Sequence, residues 1–379
     1  MTDMKRKQLH PMKHSVSLCR PAELDSASVE LWRSFQAAQP ALSNPFLTPE
    51  FALAFGRHRV DTEVAIIRDG GEIVGFFPFE RRRGGIGCSL AYGLSDCQGV
   101  VHRPDATWGG FDCLLESCGL AVWEFDHLVG YQSHGAGPHV LHLPSPVIDL
   151  PGAWEEWQEQ KRQSGYHRIK GGLRQQRKLG REVGAIRFEL DARREDLLHL
   201  LMQWKSAQYR RTSRPDRFAQ PWFRTFVEDL FSHHSPSFAG QLSVLYAGDR
   251  PINVAFNLRA NGILAYWIPA YDRTYAKYSP GWSAVLEMIK ASIIDGHIKQ
   301  IDLGKGAADY KKSLKSTDLT VAEGWVERPS IGALAWRART EPRRRAMDFV
   351  LRKPRLRLAA RRTLKEIGEL RERLDRGKA

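Results

Sequence analysis

Several signatures of common protein classes are missing from this sequence. Its 379 residues contain no HExxH motif and no CxxC pair. An odd, scattered set of cysteines argues against a structural zinc site or a disulfide framework, and it favours a reducing compartment. We therefore expect no metal ligands. The five cysteines are Cys19, Cys88, Cys97, Cys113 and Cys118.

Long apolar runs are also missing, since none approaches the ~18 residues that a membrane span requires. The N-terminal residues 1–14 are basic but lack the apolar segment of a secretory signal. Hydrophobic residues make up 42% and aromatic residues 10% of the chain, which is typical of a globular protein. We expect a cytoplasmic protein without a transmembrane segment, peripheral at most to the inner face of the membrane.

The familiar phosphate-binding and nucleophile motifs are absent as well. No Walker loop and no GxGxxG follow a predicted strand, and the segment 304–309 lacks a third glycine. The segment 281–285 lacks the second glycine of a nucleophile elbow. These absences argue against P-loop, dinucleotide-binding and α/β-hydrolase chemistry.

Positive charge is concentrated at the C-terminal end of the chain. Residues 329–379 hold 16 Lys and Arg against 6 Asp and Glu, a net charge of +10. The remaining 41 Lys and Arg against 37 Asp and Glu leave residues 1–328 at +4. Such a distribution indicates a nearly neutral body with a basic helical tail that can contact an anionic membrane surface or RNA.

Two similar hairpin patterns lie 178 residues apart. Residues 63–67 and 73–77 flank Asp69-Gly70-Gly71, and residues 242–246 and 252–256 flank residues 248–251. Helical patterns precede both hairpins, which predicts an α/β fold with two related halves. The alternative is that two common hairpins recur by chance.

A Pro/Gly-rich run over residues 144–152 suggests the boundary between the halves. We therefore predict domains over residues 16–147 and 150–328, followed by a basic helical tail over residues 329–379. A basic helical arm is expected at residues 161–181, interrupted by Gly171-Gly172.

The most informative stretch runs from Trp267 to Lys312. An apolar strand over residues 263–268 leads through a turn to a helix that begins at Ser279-Pro280-Gly281. Backbone N–H groups at a helix N-terminus favour anions, and glycine allows a ligand to approach closely. The segment therefore predicts an anion site, although an ordinary loop-to-helix turn has the same composition.

Four further polar residues are candidates for chemistry near this helix. Asp302 ends a second strand and could orient or deprotonate an amine, or simply cap the following turn. Lys311 could bind phosphate or Asp302, or lie in solvent. Lys205 and Tyr209, four apart on one helix, could reach the rim of the same crevice, or serve as a snorkelling lysine and a half-buried tyrosine.

The ordered set of short motifs resembles the CelD-type acetyltransferase-like family, which is related to GNAT proteins and to the FemABX aminoacyltransferases. The matching segments are residues 204–212, 242–248, 267–272, 278–281, 301–304 and 310–311, with weaker matches at residues 44–46 and 75–78. The resemblance implies two GNAT-like domains in tandem, with mixed sheets flanked by helices. It also implies transfer of an acyl group from acetyl-CoA or another acyl-CoA to an amine of a polysaccharide precursor, such as an amino sugar.

The resemblance places the CoA pyrophosphate at Tyr278 to Trp282, although the usual GNAT phosphate loop is replaced here by Tyr-Ser-Pro-Gly. Predicted catalytic residues are Asp302, Lys311 and Tyr310. Predicted cofactor-binding residues are Trp267, Ile268, Tyr278, Ser279, Pro280, Gly281 and Trp282. Predicted substrate-binding residues are Lys205, Tyr209, Asn253, Tyr271 and Asp272.

Two other functions remain open on the sequence. One is a FemABX-like transferase that takes its acyl group from charged tRNA, for which basic segments supply phosphate contacts. The other is a non-catalytic protein whose tail docks on an anionic membrane or on nucleic acid. The acceptor, the acyl chain length, the choice between nitrogen and oxygen attack, and the oligomeric state are not specified by the sequence.

Overall fold

A computed structural model describes residues 14–163, 167–306 and 308–352. Within them, thirteen strands form one mixed sheet. The strands are β1 His14–Cys19, β2 Thr62–Asp69, β3 Glu72–Arg82, β4 Ile86–Ser89, β5 Val101–His102, β6 Val122–Val129, β7 Val140–Asp149, β8 Ile186–Glu189, β9 Ala239–Ala247, β10 Arg250–Ala260, β11 Ile263–Tyr271, β12 Gln300–Asp302 and β13 Thr317–Glu327. The helices are α1 Ser26–Ala37, α2 Pro49–His58, α3 Gly110–Ser117, α4 Trp154–Gln163, α5 His167–Glu182, α6 Glu195–Arg211, α7 Pro221–Ser232, α8 Pro280–Asp295, α9 Asp309–Leu314 and α10 Ile331–Arg352.

The predicted α/β class is confirmed, and the sheet order displays the repeat. One end of the sheet reads β1-β2-β3-β4-β6, and the other end reads β8-β9-β10-β11-β12. In each half the pairs are antiparallel except the last, since β4 pairs with β6 and β11 with β12 in parallel. Both predicted hairpins are present as β2–β3 and β9–β10.

Strand exchange joins the two halves at the centre of the sheet. β7 follows β6 in the chain but pairs with β12, whereas β13 follows β12 but pairs with β6. β7 and β13 also pair with each other. The halves therefore share one continuous sheet, and β13 lies beside β6 although its residues fall within the predicted range 150–328.

Pro144 and Pro146, in the run that suggested the boundary between the halves, lie inside β7. One local expectation was wrong. The helix α5 continues through Gly171 and Gly172 instead of being interrupted there. A side chain at Gly172 would place its Cβ 2.3 Å from the indole of Trp282, so this glycine permits close packing of α5 on α8.

Both ends of the helices follow general capping chemistry. Thr48 caps α2 by accepting a hydrogen bond from the Phe51 N–H at 3.2 Å, and Pro49 occupies the first helical position. Gly296 ends α8 in the left-handed conformation. Local sequence thus sets the ends of the helices that flank the sheet.

The tail begins as the helix α10 and packs back onto the first half. Ala333 and Trp336 are buried against Val122 of β6, and Arg337 forms an ion pair with Glu327. The part of the predicted basic helical tail beyond residue 352 lies outside the described residues. The division into domains and tail remains a prediction.

Candidate functional site

A wedge opens between two neighbouring strands of the second half. β11 and β12 pair over three positions, from Ile263 with Gln300 to Ala265 with Asp302. β12 then ends, and the Leu303 N–H donates to the Pro146 carbonyl of β7. In the described residues, the backbone of β11 from Tyr266 to Tyr271 therefore has no strand partner on this side. We call this stretch the open edge.

A β-bulge lies at the start of the open edge. The register with β10 passes from Tyr266 opposite Asn257 to Ile268 opposite Phe256, which leaves Trp267 without a partner residue. Bulges re-aim side chains and interrupt the ladder. Here Trp267 and Ile268 both pack in the main core, while Tyr266 packs with the core that contains α8.

The corresponding wedge of the first half is filled by the chain itself. β4 and β6 pair in parallel, and Gln98 then forms a parallel bridge with Leu128. The Gln98 N–H donates to His127 and its carbonyl accepts from Val129, both at 2.9 Å. Of the two related wedges, only the one beside β11 presents a backbone edge to a ligand within the described structure.

The start of α8 offers fewer free backbone N–H groups to an anion than the sequence suggested. Pro280 has no N–H group, and the N–H groups of Trp282 and Ser283 both donate to the Ser279 carbonyl, at 3.0 and 3.3 Å. The Gly281 N–H has no partner among the described residues. A Cβ at Gly281 would meet nothing within 4 Å, so a ligand can approach this amide. Ser279 itself is exposed.

Two of the predicted cofactor-binding side chains face α5. Tyr278 is buried, and its hydroxyl donates to Glu182 at 2.7 Å. The indole of Trp282 lies against Gly172. The face of α5 that points away from α8 is exposed and basic. Its cations are Lys170, Arg174, Arg177, Lys178 and Arg181.

Asp302 is buried and already engaged by two donors. Its Oδ2 accepts from Asn44 Nδ2 at 2.8 Å, and its Oδ1 accepts from the Gly304 N–H at 2.8 Å. Burial raises the pKa of Asp302, while the bonds from Gly304 and Asn44 lower it in part. The geometry is that of the turn cap, the alternative that the sequence left open.

Lys311 lies close enough to Asp302 for the two charges to interact, and Tyr310 precedes it at the start of α9. Lys311 is buried, and its ammonium donates to the carbonyls of Gly304 and Lys305 at 2.9 and 3.1 Å. Burial lowers the pKa of Lys311, although neighbouring carboxylates raise it in part. Burial also raises the pKa of Tyr310 to about 12, so its phenol remains a donor at neutral pH.

A carboxylate that sequence reasoning missed, Asp96, completes this cluster from the first half. Its Oδ2 lies where a Cβ at Gly304 would be only 2.7 Å away. His127 Nε2 lies 3.5 Å from Asp96 Oδ1, and His127 Nδ1 lies 3.3 Å from Asp126 Oδ2. No local motif identifies Asp96, because its contacts depend on the pairing of the two halves.

Lys205 contacts the open edge directly. Its ammonium donates to the Pro269 carbonyl at 2.9 Å and lies 5.6 Å from the centre of the Tyr209 ring. Burial, together with a smaller contribution from the nearby Arg214, lowers the pKa of Lys205 to about 8. Lys205 thus extends toward the predicted crevice and contacts the backbone of β11, with Tyr209 packed beside its ammonium.

The other predicted substrate-binding residues lie at the end of the open edge. Asn253 of β10 is opposite Tyr271 of β11, and its buried Nδ2 has no hydrogen-bond partner among the described residues. Asp272 caps the following turn through the Thr274 N–H at 2.9 Å. The structure therefore assigns Asp272 a local backbone contact.

In the part of the chain that the structure describes, no group of three or more His, Cys, Asp and Glu side chains is arranged to hold a metal ion. None of the described helices combines the length and apolarity that crossing a bilayer requires.

The family match to known proteins lies in the second half of the molecule, which contains β11 and α8. Residues 167–312 match the family described as the acetyltransferase (GNAT) domain. This segment contains β11, β12, the start of α8, Asp302 and Lys311. The second half is thus similar to GNAT acetyltransferase domains. No curated protein matches the sequence.

Solved structures share the fold across both halves. FemX is 10% identical with a TM-score of 0.53, covering 78% of this chain and 94% of FemX. The C-terminal domain of a putative lysylphosphatidylglycerol synthetase from Agrobacterium fabrum is 12% identical with a TM-score of 0.52, covering 81% of this chain and 94% of that domain. A conserved protein from Bacteroides thetaiotaomicron is 8% identical with a TM-score of 0.52, covering 82% and 100%. The chain therefore has a GNAT acyltransferase-like fold.

Proposed function

We propose that this protein transfers an acetyl or other acyl group from a CoA thioester to the amine of an amino sugar in a polysaccharide precursor. The observation that carries the proposal is the open edge of β11 beside the start of α8. An extended pantetheine arm has amide groups that can pair with a free strand edge, as a peptide does in strand addition. The pyrophosphate would lie at the Gly281 amide and the positive end of the α8 dipole.

Charge near α8 supports a phosphate-bearing donor. The exposed cations of α5 lie on the helix that packs against Trp282, and Lys277 precedes the start of α8. Arg and Lys contacts to phosphate are charge-assisted and strong. In this arrangement the thioester lies toward Asp302 and Lys311. The acceptor approaches from the seam between the halves, where Asp96 of the first half meets Gly304 of the second.

The cluster at the seam supports transfer to an amine. An attacking amine must lose a proton as the new bond forms, and a positioned carboxylate accelerates such steps. Buried donors such as Tyr310 and the backbone can stabilise the developing oxyanion. The amino sugar itself rests on the resemblance given by the sequence motifs.

A FemABX-like reaction with charged tRNA is the second candidate. The structural likeness to FemX and the basic face of α5 favour it. Both donors would place an acyl group in the same wedge, but a tRNA would need many more phosphate contacts than one CoA.

Thermal unfolding with acetyl-CoA, with CoA and with charged tRNA separates the candidates. A ligand that binds the native state at 100 times its Kd stabilises it by ~2.7 kcal/mol. We expect stabilisation by acetyl-CoA and CoA at physiological salt. Stabilisation by charged tRNA alone would favour the second candidate, and stabilisation by none of them would remove both.

A further inference from the structure

We propose that Asp96, supplied by the first half, is the base that accepts the amine proton in the active site of the second half. This inference deepens the proposed acyl transfer and rests on it. The sequence pointed instead to Asp302, whose two oxygens are both occupied by donors. No hydrogen bond to Asp96 Oδ2 occurs among the described residues, which leaves this oxygen available to a ligand.

The segment that carries Asp96 spans the mouth of the wedge. Two residues earlier, the Leu94 carbonyl accepts a hydrogen bond from Trp267 Nε1 at 2.7 Å. Asp96 itself lies against Gly304, just beyond the end of β12. One end of this short segment is therefore fixed to the bulge of β11 and the other to the turn after β12. Asp96 is held where the two strands separate.

The turn at Gly304 is shaped to admit this carboxylate. Gly304 has φ +69°, which favours glycine, and any side chain there would collide with Asp96. Lys311 fixes the same turn by donating to the Gly304 carbonyl at 2.9 Å. Lys311 thus positions the turn while its charge attracts the Asp96 carboxylate.

His127 orients Asp96 from the other side. Its ring lies between Asp96 Oδ1 and Asp126 Oδ2, at 3.5 and 3.3 Å. Gln98 holds Asp126 in turn, through a bond from Nε2 to Asp126 Oδ1 at 2.6 Å. We assign His127 as a positioning residue, which directs Oδ1 inward and leaves Oδ2 toward the wedge.

The surroundings suit a weak base that is ionised near neutral pH. The pKa of Asp96 is raised to about 6, mainly by burial and in part by the Asp302 carboxylate, while His127 and Lys311 oppose the rise. The side chain remains 24% exposed, so an acceptor can reach it. The titratable groups that face Asp96 are His127, Asp126, Asp302, Tyr310 and Lys311.

In the reaction, the amine nitrogen attacks the thioester carbon and a C–N bond forms. Asp96 takes the proton from that nitrogen. The C–S bond then breaks, and sulfur leaves with the electron pair as a thiolate. The proton passes from Asp96 to the thiolate, directly or through water, which restores the carboxylate and yields the free thiol.

The test compares Asp96→Asn with Asp105→Asn, a matched change at a surface carboxylate that is 75% exposed. Thiol release from acetyl-CoA is followed from pH 5 to 9 with a panel of amino sugars that includes glucosamine. Asp96→Asn should keep the stabilisation by acetyl-CoA but lower kcat by ~10²- to 10⁴-fold. The fall in rate below pH about 6 should disappear in Asp96→Asn and persist in Asp105→Asn.

The acceptor's own titration is common to all variants, so the lost part of the profile belongs to Asp96. Partial rescue of Asp96→Ala by added formate would identify a proton role, which a merely structural residue would not display. An unchanged kcat and pH profile in Asp96→Asn would overturn this inference while leaving acyl transfer intact. If the wild type neither binds acetyl-CoA nor releases thiol with any amine, the proposed function itself fails and this inference with it.

Discussion

Asn44 Nδ2 donates a hydrogen bond to Asp302 Oδ2 at 2.8 Å, between residues 258 positions apart in the chain. Both side chains are buried. The bond joins the first half to the end of β12, beside the wedge. It makes the position of Asp302 dependent on the assembly of the two halves.

Replacing Asn44 by Asp should make stability strongly dependent on pH. The Asp side chain can still accept the Phe46 N–H, as Asn44 Oδ1 does at 3.2 Å, but it places a second carboxylate against Asp302. Two carboxylates in contact raise each other's pKa, so the folded state binds a proton that the unfolded state releases. Stability should therefore fall as pH rises from 5 to 8 in thermal unfolding.

The control is Asn44→Ala, which removes the donor without adding a charge. It should cost ~1–3 kcal/mol, and its added dependence on pH over the same range should be weaker than that of Asn44→Asp. Equal melting temperatures for Asn44→Asp and Asn44→Ala at both pH values would contradict the contact.

Trp267→Phe should lower activity through the segment that carries Asp96. The change removes the indole N–H that holds the Leu94 carbonyl at 2.7 Å, which costs ~1–3 kcal/mol and frees this segment from β11. We expect kcat for acetyl transfer to fall at least ~10-fold, because small misplacements of reacting groups are costly.

Trp32→Phe provides the matched control. The Trp32 indole donates to the Leu47 carbonyl at 2.8 Å, in the core of the first half. This variant should lose comparable stability but keep kcat. If the two variants lose the same activity, Leu94 does not position the site.

Gly281→Asp should weaken CoA binding without harming the fold. A Cβ at this position meets no atom within 4 Å, and a carboxylate in the first turn stabilises a helix by ~0.3–1 kcal/mol. The same charge repels the CoA pyrophosphate, so the Kd for CoA in calorimetry should rise by ~10-fold or more, which corresponds to about 1.4 kcal/mol.

Ala27→Asp is the corresponding change in α1, where Ala27 is also the second helical residue and is exposed. It should bring a similar gain in stability and leave the Kd for CoA unchanged. An unaltered Kd in Gly281→Asp would place the phosphates elsewhere.

Asp96→Asn should stabilise the protein while it reduces activity. Because burial raises the pKa of Asp96 from 3.8 to about 6, its contribution to stability is present below pH 4 and is lost as pH rises through 6. Removing the charge should raise the free energy of unfolding at pH 8 by at most about 3 kcal/mol. The gain should vanish near pH 4 in urea denaturation, and a loss of stability at pH 8 would contradict the account.

Features set by local sequence could be predicted, and features set by strand exchange could not. Gly70 and Gly248 have φ of +58° and +60° in the turns of the two hairpins, as their sequence patterns indicated. Asp302 was correctly placed at a strand end near Lys311. The sequence left two roles open for Asp302, a contact with the amine or a cap of the following turn. It could not decide between them, and the structure has Asp302 accepting from the Gly304 N–H.

Asp96 could not be predicted from the sequence, because its contact with Gly304 forms only when β7 and β13 pair at the centre of the sheet. The same limit explains why Gly172 was expected to interrupt a helix, since glycine disfavours helices. Its role follows from the indole of Trp282, a residue 110 positions later in the chain. Periodicity within one segment carries no information about such distant partners.

Hydrogen exchange of the backbone amides with and without acetyl-CoA tests the donor site most directly. We predict slower exchange at Trp267 and Tyr271 on the open edge, and at Gly281 at the start of α8. Gly281→Asp should weaken this protection at the same ligand concentration. Protection confined to the related wedge of the first half, around residues 97–112, or no protection at either place, would contradict the assignment of the open edge as the site for the acyl donor.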